Sequence, residues 1–355
     1  MKKILLVLTG GTICSFGDER GENREVHMKE ANALLLQNFR KSGSAFAEAE
    51  FETVTVLQVL SENMTIDCWN ELIEFFKQVS MEDYQGIMIA HGTDTLSYTA
   101  SLISLLFSKA KIPVFLVASN HPLDCKEANG NENFRYSVEC ICQGILPGTY
   151  VIYRNEDEVL YLHQASHLEA CGDYTNNFYS RDALELKPER KPKLPETMKN
   201  RTWAQPGEGI AIADIGKLER NVLLLKPYVG LNYHCISLED DVKAVVHGLY
   251  HSSTACVGND EGQNGREGFA QDSIIWFLKK CHEKNVPVIV TPCRENALYV
   301  SADKMLKNGA IPVYGMTIEM VYVKVLLAYA MGFDEEDMKR FLQKNICGEY
   351  LATCL

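Results

Sequence analysis

The sequence contains no long hydrophobic run, and none of its apolar stretches approaches the ~20 residues that a membrane-spanning helix needs. The first such stretch, residues 4–8, is too short even for the apolar region of a secretory signal. Positive charge is also scarce, with 35 Lys and Arg against 47 Asp and Glu. Because nucleic acids and anionic membranes attract clustered Lys and Arg, we expect neither as a partner. The sequence predicts a cytoplasmic protein that binds small molecules.

Dense cysteine patterns and metal-binding motifs are missing as well. The 12 cysteines are scattered, and the one close pair, Cys140 and Cys142, has no second pair at zinc-finger spacing. Two pairs of histidines lie four residues apart: His163 with His167, and His247 with His251. Neither pair has the glutamate of a His-Glu-x-x-His motif. We therefore expect reduced thiols and neither a metal nor an organic cofactor.

Strand-length apolar runs alternate with longer amphipathic segments in the first half of the chain. Residues 4–8, 86–90 and 112–118 are nearly continuous apolar runs, which are typical of strands buried on both faces. Between these runs, apolar residues recur at helical spacing after Asp67, a candidate N-cap, and again over 96–107. This alternation predicts an α/β fold with a doubly wound, mostly parallel sheet.

A change of composition divides the chain. Over 188–208, prolines mix with charged residues and no apolar period remains, which indicates a linker. We expect a large N-terminal domain at 1–187 and a smaller α/β domain at 209–355, each with enough of the 46% apolar residues for a core. In the second domain the patterns predict strands at 209–213, 222–225, 244–249 and 286–291, and helices at 271–283 and 317–331.

The first predicted strand runs directly into residues 9–13, Thr-Gly-Gly-Thr-Ile. Open α/β sheets bind ligands at the carboxyl ends of their strands, so this position suits a binding site. Gly11 lets the backbone turn sharply, and the Thr12 hydroxyl can then attack a bound carbonyl. The motif lacks the Gly-Lys-Ser or Gly-Lys-Thr ending of a phosphate loop. Taken alone, it more often marks a tight turn capped by threonine hydroxyls.

A second motif, residues 91–95 with the sequence His-Gly-Thr-Asp-Thr, follows the strand predicted at 86–90. Thr93 adds a second hydroxyl, and the Asp94 carboxylate can hold the ammonium group of an amino acid. We expect His91 to be structural. The two motifs together favour amide hydrolysis by a threonine nucleophile.

In order and separation, the two motifs resemble the signatures of the bacterial-type L-asparaginase and glutaminase family. Between them, residues 61–65, Ser-Glu-Asn-Met-Thr, resemble that family's substrate-binding loop. A weaker likeness continues through 122–124, 129–130 and Asn133, and again through 315–319 and Lys324. The resemblance therefore covers both predicted domains.

For the chemistry, the resemblance implies that Thr12 is the nucleophile and Thr93 the second catalytic threonine. An acyl-threonine ester would form with loss of ammonia, and water would then release the acid. Backbone N–H groups near Gly11 and Gly92 are implied to stabilise the oxyanion.

For binding, the resemblance implies that Asp94 holds the α-ammonium of the substrate. Ser61, with Glu62 beside it, would contact the α-carboxylate and the α-ammonium. The family is usually a dimer of dimers, so we expect a homodimer or homotetramer.

Two departures from the family pattern affect these expectations. The position where the family carries a catalytic lysine is Glu169. Either Glu169 replaces the lysine as a base, another group supplies the charge, or hydrolysis is slow. A carboxylate beside Asp94 would raise one of the two pKa values by like-charge repulsion. The family also supplies a tyrosine from a mobile segment after the first motif, whereas 14–25 contains none. This polar segment suits an active-site lid and equally an ordinary surface loop. If it is a lid, Arg20 or Arg24 is a candidate replacement for the tyrosine.

Three functions therefore stay open. The leading hypothesis is hydrolysis of L-asparagine, with glutamine as a possible second substrate because one methylene changes binding by only about 1 to 3 kcal/mol. The second is a catalytically weak protein that binds or senses an amino acid. The third is an amidase subunit that acts on an aminoacyl-tRNA with a partner protein.

Overall fold

A computed structural model of the chain describes residues 2–17, 24–26, 28–186, 209–258, 272–295 and 299–351. The chain groups into two compact units, Met1–Asp214 with Asn345–Gly348, and Ile215–Lys344 with Glu349–Leu355. The predicted linker lies outside the described residues, and the domain boundaries placed at its two ends stay a prediction. None of the described helices is long and apolar enough to cross a membrane.

In the described part of the first unit, seven strands form one sheet in the order β4-β1-β5-β6-β7-β8-β9. The strands are β1 (Lys3–Gly10), β4 (Phe51–Val59), β5 (Tyr84–Ala90), β6 (Pro113–Val117), β7 (Gly148–Arg154), β8 (Leu160–Gln164) and β9 (Leu184–Leu186). The first five are parallel, and β8 and β9 are antiparallel additions at one edge. A separate hairpin pairs β2 (Ser15–Gly17) with β3 (Arg24–Val26).

The helices of this unit cover the sheet with apolar faces. They are α1 (Met28–Lys41), α2 (Ile66–Lys77), α3 (Leu96–Leu106) and α4 (Gly130–Cys142). α2 buries the predicted stripe of Trp69, Leu72, Ile73 and Phe76. Its N-cap is Thr65, whose hydroxyl accepts from the Cys68 N–H at 3.4 Å. The prediction that Asp67 caps this helix is wrong, because Asp67 already lies in the first turn.

The second unit contains a parallel sheet of four described strands in the order β10-β11-β12-β13. Its strands are β10 (Val222–Leu225), β11 (Ala244–Gly248), β12 (Val288–Cys293) and β13 (Ile311–Tyr314), and its helices are α5 (Ile274–Glu283), α6 (Val300–Lys307), α7 (Ile318–Ala330) and α8 (Glu335–Leu342). The strand predicted at 209–213 is wrong, since Ile212–Asp214 forms a 3-10 turn without buried residues. The predicted mixed α/β architecture with a large, mostly parallel sheet is confirmed.

A buried ion pair stabilises the C-terminal part of this unit. Lys324 on α7 donates to a Glu349 carboxylate oxygen at 2.8 Å and to the Lys344 carbonyl at 2.6 Å. Both charged side chains are 0% exposed. The chain after α8 is therefore held against α7 by a charged contact that water does not screen.

Candidate active site

Three neighbouring strands carry the three sequence motifs at their carboxyl ends. β4 leads into Ser61, β1 into Thr12 and β5 into Thr93, and the sheet order places β4, β1 and β5 side by side. The Thr9 hydroxyl donates to the Ala90 carbonyl at 2.8 Å and joins the ends of β1 and β5. The motifs therefore meet at one edge of the parallel sheet, where such sheets bind ligands.

Two glycines bring the backbones of the first and second motifs into contact. Gly11 has φ +76°, and a Cβ there would lie 2.3 Å from the Gly92 Cα. Thr12 and Thr93, the next residues in the two motifs, are both partly exposed. The Gly11 N–H donates to the Val59 carbonyl at 2.8 Å, so it is already used and does not serve as an oxyanion donor. Any such donor near Gly11 must come from a following residue.

Ser61 connects the third motif to the second. Its hydroxyl donates to the Asp94 carboxylate at 2.9 Å and accepts from the Asp94 N–H at 3.2 Å. The Thr95 hydroxyl donates to the Ser61 carbonyl at 2.9 Å. A Cβ on Gly92 would lie 2.5 Å from the Ser61 hydroxyl oxygen, so this position has no room for a side chain. Thr95 is a positioning residue that the sequence analysis missed, although it is the last residue of the second motif.

Ser61 and the acidic residues near it differ in exposure. Ser61 is 4% exposed, whereas Asp94 and Glu62 are exposed. A buried hydroxyl that donates to the exposed carboxylate fixes the carboxylate's orientation while leaving it open to solvent. This arrangement suits a cation-binding carboxylate at the mouth of a site.

His91 lies directly behind the second motif and is completely buried. Its Nδ1 is 2.7 Å from the Gly92 carbonyl. Burial lowers its pKa to about 4. The imidazole is therefore neutral near pH 7, with the proton on Nδ1, which supports the expected structural role.

Glu169 lies in the segment that follows β8 and the 3-10 turn at Ala165–His167. Its N–H donates to the Tyr179 carbonyl at 3.0 Å. Its side chain is exposed, yet partial burial of the carboxyl raises its pKa. Two residues on, the pKa of Cys171 is raised to about 12 by burial and, to a smaller extent, by the charge of Asp94. Cys171 thus lies within electrostatic range of the site, and no sequence pattern marked it.

The paired histidines of the sequence have other partners. The His163 Nδ1 lies 2.9 Å from the Ser180 hydroxyl, and the His167 Nδ1 lies 2.9 Å from the Asp182 carboxylate. Among the described residues, no group of three or more His, Cys, Asp and Glu side chains is arranged to hold a metal ion.

In the second histidine pair, His247 also has a partner of its own. His247 lies in β11 with its Nε2 2.8 Å from the Tyr233 hydroxyl. His91, His163 and His247, here called the neutral histidines, are buried, and burial lowers the pKa of each to about 4. Of the predicted lid, residues 18–23 with Arg20 lie outside the described residues, whereas Arg24 begins β3 and pairs with Gly17.

Comparison with protein families agrees with the arrangement of the motifs. The family described as "Asparaginase, N-terminal" matches residues 3–177, which include the motifs at 9–13, 61–65 and 91–95 but not the weaker likeness at 315–319. Residues 3–177 of the chain belong to the asparaginase family. The resemblance inferred from the motifs is therefore confirmed.

Similar proteins within this family have two kinds of name. An L-asparaginase of Thermococcus kodakarensis is 25% identical over 99% of this chain and 100% of its own length. A glutamyl-tRNA(Gln) amidotransferase subunit from Methanobrevibacter smithii is 25% identical over 98% of this chain and 77% of its own length. The solved structure of the thermostable L-asparaginase from Thermococcus kodakarensis has the same fold, with a TM-score of 0.72 and 20% identity over 99% of this chain and 100% of that one.

Proposed function

We propose that this protein hydrolyses L-asparagine to aspartate and ammonia. The observation that carries the proposal is the convergence of three motifs on the adjacent ends of β4, β1 and β5. Gly11 touches Gly92, and Ser61 is bonded to Asp94, so a nucleophile and an ammonium-binding carboxylate share one edge. The acidic net charge of the chain and the small residues at this edge agree with a small substrate.

In the proposed reaction, the Thr12 Oγ attacks the side-chain amide carbon, and its proton passes to the leaving nitrogen. The C–N bond breaks, ammonia leaves, and an aspartyl ester of Thr12 remains. A water molecule near Thr93 then attacks the ester carbon and regenerates the hydroxyl while releasing aspartate. Forming the ester divides one difficult hydrolysis into two easier steps. Asp94 holds the α-ammonium through both.

We further propose that Glu169 acts as the base in place of the family's lysine. Its raised pKa brings the carboxyl closer to neutral pH, where a general base is more effective. Because the base is the ionised form, the rate should fall on the acidic side of that pKa. Glu169→Gln should remove this acidic limb and lower kcat, while Glu169→Asp should retain the limb. Equal pH profiles for the wild type and Glu169→Gln would exclude the carboxyl as the base.

The direct test is ammonia release from asparagine, glutamine and short asparaginyl peptides. We expect release from asparagine by the wild type and none above background from Thr12→Ala. A Thr12→Ser variant, which keeps the hydroxyl, serves as the matched control. Equal release of ammonia by the wild type and Thr12→Ala would show that Thr12 is not the nucleophile.

One alternative is an amino-acid sensor, which is favoured by the exchange of a lysine for Glu169. Calorimetry separates the two functions. Tight aspartate binding without turnover, unrepaired by Glu169→Lys, would favour the sensor.

The other alternative is an amidotransferase subunit, which is favoured by the name of the Methanobrevibacter smithii relative. A subunit of this kind should release ammonia efficiently only with a partner protein and its aminoacyl-tRNA. Full turnover of free asparagine by the isolated chain would argue against it.

Light scattering tests the expected homodimer or homotetramer, and a monomer at working concentration would contradict that expectation.

A further inference from the structure

β6 is the strand next to β5, so its carboxyl end lies at the same edge of the sheet as the proposed site. β6 pairs with β5, and the His91 N–H donates to the Val117 carbonyl at 2.9 Å, just where β6 ends. Residues 118–120 continue from this point, beside the turn that carries Thr93. Any shift of this segment therefore changes the space next to the second catalytic threonine.

Asn133, on α4, bonds this segment to the neighbouring strand. Its Nδ2 donates to the Ala118 carbonyl at 3.0 Å, and its Oδ1 accepts from the Arg154 N–H at 2.9 Å. The residue is 0% exposed, so water does not replace either bond. One side chain thus fixes the end of β6 relative to the end of β7.

Asn129 makes a second bridge with the donor and acceptor exchanged, since it accepts from the segment after β6 and donates to the end of β7. Its Oδ1 accepts from the Asn120 N–H at 2.9 Å, and its Nδ2 donates to the Arg154 carbonyl at 2.8 Å. The Asn129 N–H also donates to the Asn120 Oδ1 at 3.0 Å. At 1% exposed, Asn129 is buried as deeply as Asn133.

We propose that Asn133 is a positioning residue, which holds the Ala118 carbonyl and so sets the geometry beside Thr93. This inference rests on the proposed function for its kinetic consequence. The Asp94 carboxylate is held from the β4 side by Ser61, which does not depend on β6. Loss of the Asn133 bond should therefore lower kcat and leave KM nearly unchanged. A misplacement of about 1 Å can lower a rate ~100-fold.

The two asparagines offer a matched pair of variants. When ionised, the carboxylate of Asn133→Asp still accepts from the Arg154 N–H but repels the Ala118 carbonyl. The carboxylate of Asn129→Asp still accepts from the Asn120 N–H and repels the Arg154 carbonyl. Both variants bury one carboxyl and lose one donated bond, so a purely structural role predicts the same defect in each. Only Asn133→Asp loses a bond to the β6 segment.

The kinetic test measures kcat and KM for both variants against the wild type from pH 6 to pH 9. We expect kcat of Asn133→Asp to fall about 10 to 100-fold with KM within about threefold, and Asn129→Asp to stay within about threefold of the wild type. The deficit should deepen as pH rises, because a protonated carboxyl can still donate to the Ala118 carbonyl. Equal losses in the two variants, or a loss that is confined to KM, would overturn the proposal.

Hydrogen exchange tests the same inference without turnover. The His91 amide, which bonds to the Val117 carbonyl, should exchange about tenfold faster in Asn133→Asp and at the wild-type rate in Asn129→Asp. If the wild type releases no ammonia but this difference appears, the proposed function fails and the positioning by Asn133 stands. If the His91 amide exchanges equally in all three proteins, Asn133 does not position β6.

Discussion

Replacing Ser61 by alanine removes the hydroxyl that joins the β4 loop to Asp94. The hydroxyl donates to the carboxylate at 2.9 Å and accepts from the Asp94 N–H at 3.2 Å, and it is almost fully buried. A hydrogen bond to a charged group contributes about 1.5 to 3 kcal/mol. Because Asp94 is exposed, water replaces part of this bond, and we expect a loss near the lower figure. A free energy of about 1.4 kcal/mol corresponds to a tenfold change in binding.

The assay is ammonia release over a range of asparagine concentrations. Ser61→Ala should raise KM about tenfold or more and change kcat little, because the hydroxyl fixes the carboxylate that binds the α-ammonium. Thr95→Val, which removes only the bond to the Ser61 carbonyl, should raise KM by a smaller factor. Circular dichroism checks that both variants fold. A KM within twofold of the wild type, or a kcat that falls as far as KM rises, would show that Ser61 does not act by holding the ammonium-binding carboxylate.

Three further predictions concern stability and folding. Gly11→Ala should prevent folding of the site or abolish activity, because the added Cβ would lie 2.3 Å from the Gly92 Cα. A soluble, fully active variant would contradict the close approach of Gly11 to Gly92. Lys324→Met removes the ammonium that bonds Glu349 and should lower the free energy of unfolding by about 3 to 5 kcal/mol in chemical denaturation, while Lys324→Met with Glu349→Leu should recover much of the loss. The neutral histidines take up protons more readily when unfolded, so stability should fall as pH drops from about 6.5 towards 4, by up to about 4 kcal/mol per pH unit for all three. Denaturation midpoints that stay constant from pH 7 to pH 5 would show that these side chains are not buried neutral.

Local patterns were enough to predict two of the three strands that carry the motifs. β4, which leads to Ser61, was missed because most of its residues are not fully buried and form no continuous apolar run. The apolar runs before Thr9 and His91 correspond to β1 and β5, because strands buried on both faces need continuous apolar residues. The same reasoning fails at 209–213, where the apolar residues end in a turn that buries none of them. A short apolar run specifies a strand only where a neighbouring strand is available to pair with it.

Contacts between distant segments could not be predicted from the sequence. The bond from Ser61 to Asp94 spans 33 positions, and the bond from Asn133 to the Ala118 carbonyl depends on how α4 packs beside β6. The helix cap illustrates the same limit on a smaller scale. Thr65 and Asp67 are both acceptable caps, and the path of the chain out of the β4 loop decides for Thr65.

Residue identity alone located Glu169 but did not reveal its environment. The sequence raised the possibility that a neighbouring Asp94 charge would raise its pKa, whereas the structure attributes the increase to burial. The effect of the Asp94 charge is instead found on Cys171. Which side chains face the carboxylate depends on the course of the segment after β8, and this course has no local sequence signal.

The proposed mechanism depends most directly on a covalent bond at Thr12. The decisive measurement is mass spectrometry of the protein quenched during turnover of asparagine, followed by mapping of its peptides. We predict an added aspartyl group on the peptide that contains Thr12, and its absence from Thr12→Ala treated in the same way. Turnover at the wild-type rate by Thr12→Ala, or an aspartyl group found only on another residue, would contradict the account.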